Sequence, residues 1–89
     1  MPNIQRVGDK NDAGAAILST GQDSVFLDSV LVAVDGSPVE NHGRGEHGHP
    51  KTIATTANVF INGIKIVVDG DKDTCGHTRV NGSSSTSLS

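Results

Sequence analysis

The apolar positions fall into two runs of the same shape, Val25-Phe26-Leu27-Asp28-Ser29-Val30-Leu31-Val32-Ala33-Val34-Asp35-Gly36 and Val59-Phe60-Ile61-Asn62-Gly63-Ile64-Lys65-Ile66-Val67-Val68-Asp69-Gly70. They align without a gap, with Val, Phe, Val, Asp and Gly coincident and most other positions exchanged like for like. Each copy predicts a β-hairpin: a β-branched and aromatic run, a two-residue turn at Asp28-Ser29 or Asn62-Gly63, and a second β-branched run. A weaker echo lies near the start, where Val7-Gly8-Asp9-Lys10 resembles Asp69-Gly70-Asp71-Lys72 and leads into Ala13-Gly14 as the later copy leads into Cys75-Gly76. Three related β units predict an all-β fold with pseudo-threefold symmetry. No stretch holds a 3.6-residue apolar period, so helix is limited to one turn around Asp12 to Ile17. Residues 37 to 52 form a polar loop rich in Gly and His. The serine-rich end from residue 83 to 89 fits either a frayed tail or a last strand anchored by Leu88.

Composition sharpens this picture. An 89-residue chain predicts one domain, spanning residues 1–89, and a domain of that size buries only about 60% of its unfolded surface. Core material is scarce: the chain has no Trp or Tyr, two Phe, and 34% apolar residues beside 11 glycines. A lone cysteine cannot form an internal disulfide, which leaves metal ligation or association as the expected supports. The net charge of −3, with Lys and Arg scattered, argues against a nucleic-acid partner, as does the lack of aromatic stacking surfaces. Neither a signal-peptide h-region nor a membrane-spanning apolar run is present, so synthesis in the cytoplasm without a signal peptide is expected.

The chemistry-bearing residues are concentrated. Every histidine and the only thiol lie in Asn41-His42-Gly43-Arg44-Gly45-Glu46-His47-Gly48-His49 and Cys75-Gly76-His77. Kept in repeat register, Asn41-His42-Gly43 falls opposite Cys75-Gly76-His77, which brings both loops to one end of the molecule. A structural zinc site closes four tetrahedral positions with thiolate or neutral imidazole. Cys75, His77 and two of His42, His47 and His49 meet that count. The preferred set is His42, His49, Cys75 and His77, with His47 the alternate to His49 or His42. Iron suits the same donors. The spacing matches no zinc-finger pattern.

The chain resembles the PAAR-repeat proteins, which tip the spikes of bacterial type VI secretion systems and phage tails. The resemblance rests on Arg6-Val7-Gly8-Asp9, Val59-Phe60-Ile61-Asn62-Gly63 and Val68-Asp69-Gly70-Asp71-Lys72-Asp73-Thr74-Cys75-Gly76, and covers roughly residues 5 to 82. It implies a small cone of short β-strands with zinc at the apex, bound by three histidines and one cysteine. The name-giving Pro-Ala-Ala-Arg is degenerate, with Leu31-Val32-Ala33-Val34 and Lys65-Ile66-Val67-Val68 in its place. The first repeat has Ala13 where a ligand histidine often stands, and His77 is its natural replacement.

The function that follows is non-enzymatic. Such a protein caps and sharpens the trimeric β-helical spike of a contractile injection system for piercing a target membrane. Its implied partner is a trimeric spike protein of the VgrG or phage tail-spike type, bound through the base, with effector cargo held non-covalently and only transient contact with the target membrane. It would act at the tip of a phage tail or secretion spike, outside the cell or on the virion. The alternative is a small zinc-dependent hydrolase with Glu46, Asp71 or Asp73 as base, and a third reading is a free-standing metal buffer. Few residues here are equipped to line the pocket a hydrolase needs.

Overall fold

The computed structural model describes residues 3–41, 43 and 48–83. Among them the strands are short: β1 (Phe26–Leu27), β2 (Val30–Leu31), β3 (Thr52–Ile53), β4 (Phe60–Ile61), β5 (Ile64–Lys65) and β6 (Lys72–Asp73). Both expected hairpins form, β1 pairing antiparallel with β2 and β4 with β5. Their turns are of the type whose two central residues both take positive φ: 56° and 65° at Asp28 and Ser29, 51° and 80° at Asn62 and Gly63.

The threefold repeat is realised as a closed ring of backbone hydrogen bonds. The amide of Gln5 donates to the carbonyl of Val67 (2.9 Å), Val67 to Ala33 (3.0 Å), and Ala33 to Gln5 (2.9 Å). Flanking bridges join Ile4 to Val68, Arg6 to Val32, and Val34 to Ile66. Each of the three segments therefore uses one neighbour as acceptor and the other as donor. Gln5, Ala33 and Val67 are all fully buried on this axis.

Beyond the ring, each unit makes the same turn. The amides of Asp9, Ser37 and Asp71 donate to the carbonyls of Arg6, Val34 and Val68. The side chains of Asp9, Ser37 and Asp71 accept in return from the amides of those same three residues. Each chain segment then loops out and returns, pairing Gly8 with Ile17, Gly36 with Thr52, and Gly70 with Arg79. Adjacent units are stitched in the same tier by Asn11 with Arg79, Ile17 with Val39, and the β3–β6 pair of Thr52 with Asp73.

Apolar burial follows the axis. Ala33 and Val67 of the ring pack with Ala15, Ile17 and Val39 on the loop side. Val32, Val34, Ala57, Ile66 and Val68 form a second cluster toward the hairpins. Full burial of an aliphatic side chain stabilises by about 1.5–3 kcal/mol, so these few residues carry most of the apolar contribution.

Gly82 and Ser83 meet the first segment, where the other units have a hairpin partner. Ser83 donates its amide to the Ile4 carbonyl and its hydroxyl to Asp28. Asp69 Oδ1 accepts from both Gln5 Nε2 (2.7 Å) and the Gly82 amide (2.9 Å). Arg6 bridges Asp9 and Asp28, each at 2.9 Å, and the hydrogen bond to Asp9 holds its guanidinium above the ordinary arginine range.

The helical turn expected around Asp12 to Ile17 is corrected. Among the described residues there is no helix, and that stretch is a tight turn between bridged Lys10 and Ala16. Asn11 Oδ1 accepts from the amides of Ala13 (2.9 Å) and Ala15 (3.0 Å), a local side-chain bond that competes with the helical one. The tail from residue 84 to 89 lies outside the described residues.

Candidate metal centre

The loop end of the molecule is built from three equivalent excursions. Asn11 closes on Ala15, Val39 on Pro50, and Asp73 on His77, through amide-to-carbonyl bonds of 3.0, 2.9 and 2.9 Å. In the first and third loops a second bond follows, from Gly14 to Asn11 and from Gly76 to Asp73. Both glycines sit at positive φ, 82° and 89°, a conformation strained for any residue with a Cβ. Ala13 is thereby in register with Cys75. The register read from the sequence holds at the tip itself.

Cys75 is buried, outside any disulfide. His77 is about one third exposed, and its Nδ1 lies 2.9 Å from Asp12 Oδ1 of the first loop. The same oxygen accepts from the Thr78 amide (3.3 Å), while the Asp12 amide donates to the Thr78 carbonyl (2.9 Å). The middle loop is tied in from the other side. Thr74 donates its amide to the Lys51 carbonyl (2.8 Å), and Lys51 its amide to Thr74 Oγ1 (3.1 Å). That pairing runs His49-Pro50-Lys51 alongside the Cys75 loop, with His49 exposed.

His42 and His47 lie outside the described residues, as does Glu46. Among the described residues alone, no group of three or more His, Cys, Asp or Glu side chains is placed to hold a metal. Cys75 and His77 share one loop, and the segment carrying His49 is hydrogen-bonded to it. The thiol of Cys75 and the imidazoles of His77 and His49 are donor types that zinc takes.

Beneath these loops is a charged pair that sequence reasoning missed. Arg79 and Asp73 are both completely buried, with Nε 3.4 Å from Oδ1. Arg79 Nη2 donates to the Ala15 carbonyl (2.7 Å), and Asn11 Nδ2 to Asp73 Oδ2 (2.8 Å). Burial pushes the Arg79 guanidinium below its ordinary range, opposed first by the charge of Asp73. Arg79 occupies the position that Ile17 and Thr52 hold in the other units. The only available signal was that repeat register, which placed a charge opposite an apolar residue.

At the opposite end, the hairpins expose Val25, Phe26, Val59 and Phe60, with the two Phe at 58% and 56%. These are equivalent residues of two units. An open cleft of about 380 Å³ lined by Thr20, Gly21, Gln22, Asp23 and Asn62 lies between hairpin and loop.

A comparison with curated proteins finds no significant match. A family model described as the PAAR motif matches residues 7–81, a span that takes in the ring segments of Ala33 and Val67, both hairpins and the Cys75 loop. Sequence match and threefold architecture agree, and the chain belongs to the PAAR-motif family.

Proposed function

We propose that this chain is a non-enzymatic tip protein of a contractile injection spike, seated by its hairpin end on a trimeric partner and stiffened at its loop end by structural zinc. The observation that carries this reading is the ring of Gln5, Ala33 and Val67. It gives a single asymmetric chain an axis about which three identical partner chains can be met. The exposed Val25-Phe26 and Val59-Phe60 pairs lie at equivalent places around that axis. An apolar face of this kind, with strand edges beside it, suits docking by strand addition and burial.

Zinc would be held by Cys75 and His77 with two of His42, His47 and His49. Bound, it would supply a rigid clamp between loops too polar to hold their shape by packing, its binding energy acting as folding energy. Two candidate bases of the hydrolase alternative, Asp71 and Asp73, are committed to other partners. Asp71 is buried and accepts from Thr56 Oγ1 (2.7 Å) and the Val68 amide (3.1 Å), and Asp73 is buried against Arg79 and Asn11.

Co-purification with the trimeric spike protein encoded beside this chain tests the proposal. Retention by the spike is expected for the wild type and loss for Phe26→Ser/Phe60→Ser, with the variant's own fold intact by circular dichroism. A wild-type protein that no such spike retains would overturn the docking role.

A further inference from the structure

The contact between Asp12 and His77 assigns a task to a residue that the repeat pattern gives no reason to notice. Resting on the zinc reading above, we propose that Asp12 is a positioning residue: it fixes the His77 ring so that Nε2 is the nitrogen offered to the apical metal.

The argument is one of proton bookkeeping at a single imidazole. A carboxylate is an acceptor only. Asp12 Oδ1 is already an acceptor of the Thr78 amide, so a 2.9 Å contact to His77 Nδ1 requires the ring proton on Nδ1. The lone pair of the neutral ring then resides on Nε2. Metal-ligating histidines commonly have their other nitrogen tied in this way, which sets both tautomer and ring orientation. Asp12 is itself held in place: its amide donates to the Thr78 carbonyl at 2.9 Å. The carboxylate and the ring thus come from different units, across an edge stitched by Asn11 and Arg79. The first unit, which has Ala13 in register with Cys75, contributes to the apex through the residue beside that alanine.

The test uses the full chain, ¹⁵N-labelled, with zinc affinity measured by competition against a chromophoric chelator and the His77 tautomer read from imidazole ¹⁵N shifts. Asp12→Ala is expected to weaken zinc about 10–100-fold and to lose the Nδ1–H preference of His77. Asp12→Asn keeps an acceptor oxygen and is expected to recover part of both. A role in bracing the loops alone would lower Tm and leave zinc affinity unmoved. One zinc per wild-type chain with unchanged affinity in Asp12→Ala would overturn the role of Asp12 and leave the zinc reading standing. Absence of zinc binding by the wild type would overturn both. Should Asp12→Ala not fold, a wild-type His77 protonated on Nε2 rather than Nδ1 would overturn the proposal by itself.

Discussion

Arg79 lies against Asp73 of its own unit, Nε 3.4 Å from Oδ1, and neither side chain has any exposed surface. Such a pair is costly to bury but far more costly to halve, because the remaining charge has no water to replace its partner. Arg79→Leu is expected to destabilise by about 3–5 kcal/mol in chemical denaturation. It also removes the donor to the Ala15 carbonyl that braces the first apical loop. The double variant Arg79→Leu/Asp73→Leu is expected to recover much of the loss, and a double variant as unstable as the sum of the singles would refute this account of the pair.

Gly82 packs against Ile4, Gln5 and Asp69. A Cβ there would stand 2.7 Å from Asp69 Oδ1, 2.8 Å from the Ile4 carbonyl and 3.1 Å from Gln5 Nε2. The backbone contact cannot swing away. Gly82→Ala is expected to cost about 1–3 kcal/mol through overpacking, measured as a lowered denaturation midpoint. Gly21→Ala, whose nearest neighbour would be Val34 Cγ2 at 3.6 Å, serves as the control that leaves the midpoint nearly unchanged.

The two hairpin turns have the same geometry but unequal sequences. Ser29 holds φ 65° where its counterpart is Gly63. Ser29→Gly relieves that left-handed strain and is expected to stabilise by several tenths of a kcal/mol, net of the added freedom of the unfolded chain. Asp28 should stay, since it accepts from Arg6 and Ser83. A loss of stability in calorimetry would contradict this reading.

If zinc closes the loops as proposed, its removal and the loss of Cys75 are the same lesion. Chelation of the wild type and the substitution Cys75→Ser are each expected to lower Tm by about 10–20 °C, the effect of a few kcal/mol in a domain of this size. Chelator added to Cys75→Ser should then change little. Equal Tm with and without chelator in metal-analysed wild-type protein would defeat the zinc clamp.

Repeat register carried most of what the sequence made legible. Val25-Phe26 and Val59-Phe60 announced both hairpins, and the pairing of Ala13-Gly14 with Cys75-Gly76 survived into the apical turns. What stayed hidden were positions where chemistry breaks the pattern. Gln5 stands on the axis beside Ala33 and Val67, yet a polar residue there gives no apolar signal; its burial depends on Asp69 and Val80, far along the chain. Arg79 gave no sign of burial, because its contacts with Asp73 and Ala15 are made only in the fold. The Asp12 contact to His77 is likewise between loops, beyond the reach of local periodicity. The turn at Asn11 was misread as helical because its side-chain capping of Ala13 and Ala15 leaves no distinct spacing.

The ring of Gln5, Val67 and Ala33 has a kinetic meaning. None of its three hydrogen bonds is local in sequence, and the ring cannot close until the segments of Gln5, Ala33 and Val67 have all arrived. Folding is therefore governed by non-local closure, which is slow for the length of chain involved. Opening is constrained in the same way: releasing one segment takes away both its donor and its acceptor, and each of its neighbours loses a bond. The amides of Gln5, Ala33 and Val67 should exchange with solvent only when the whole molecule unfolds, so that the three units live or fail together.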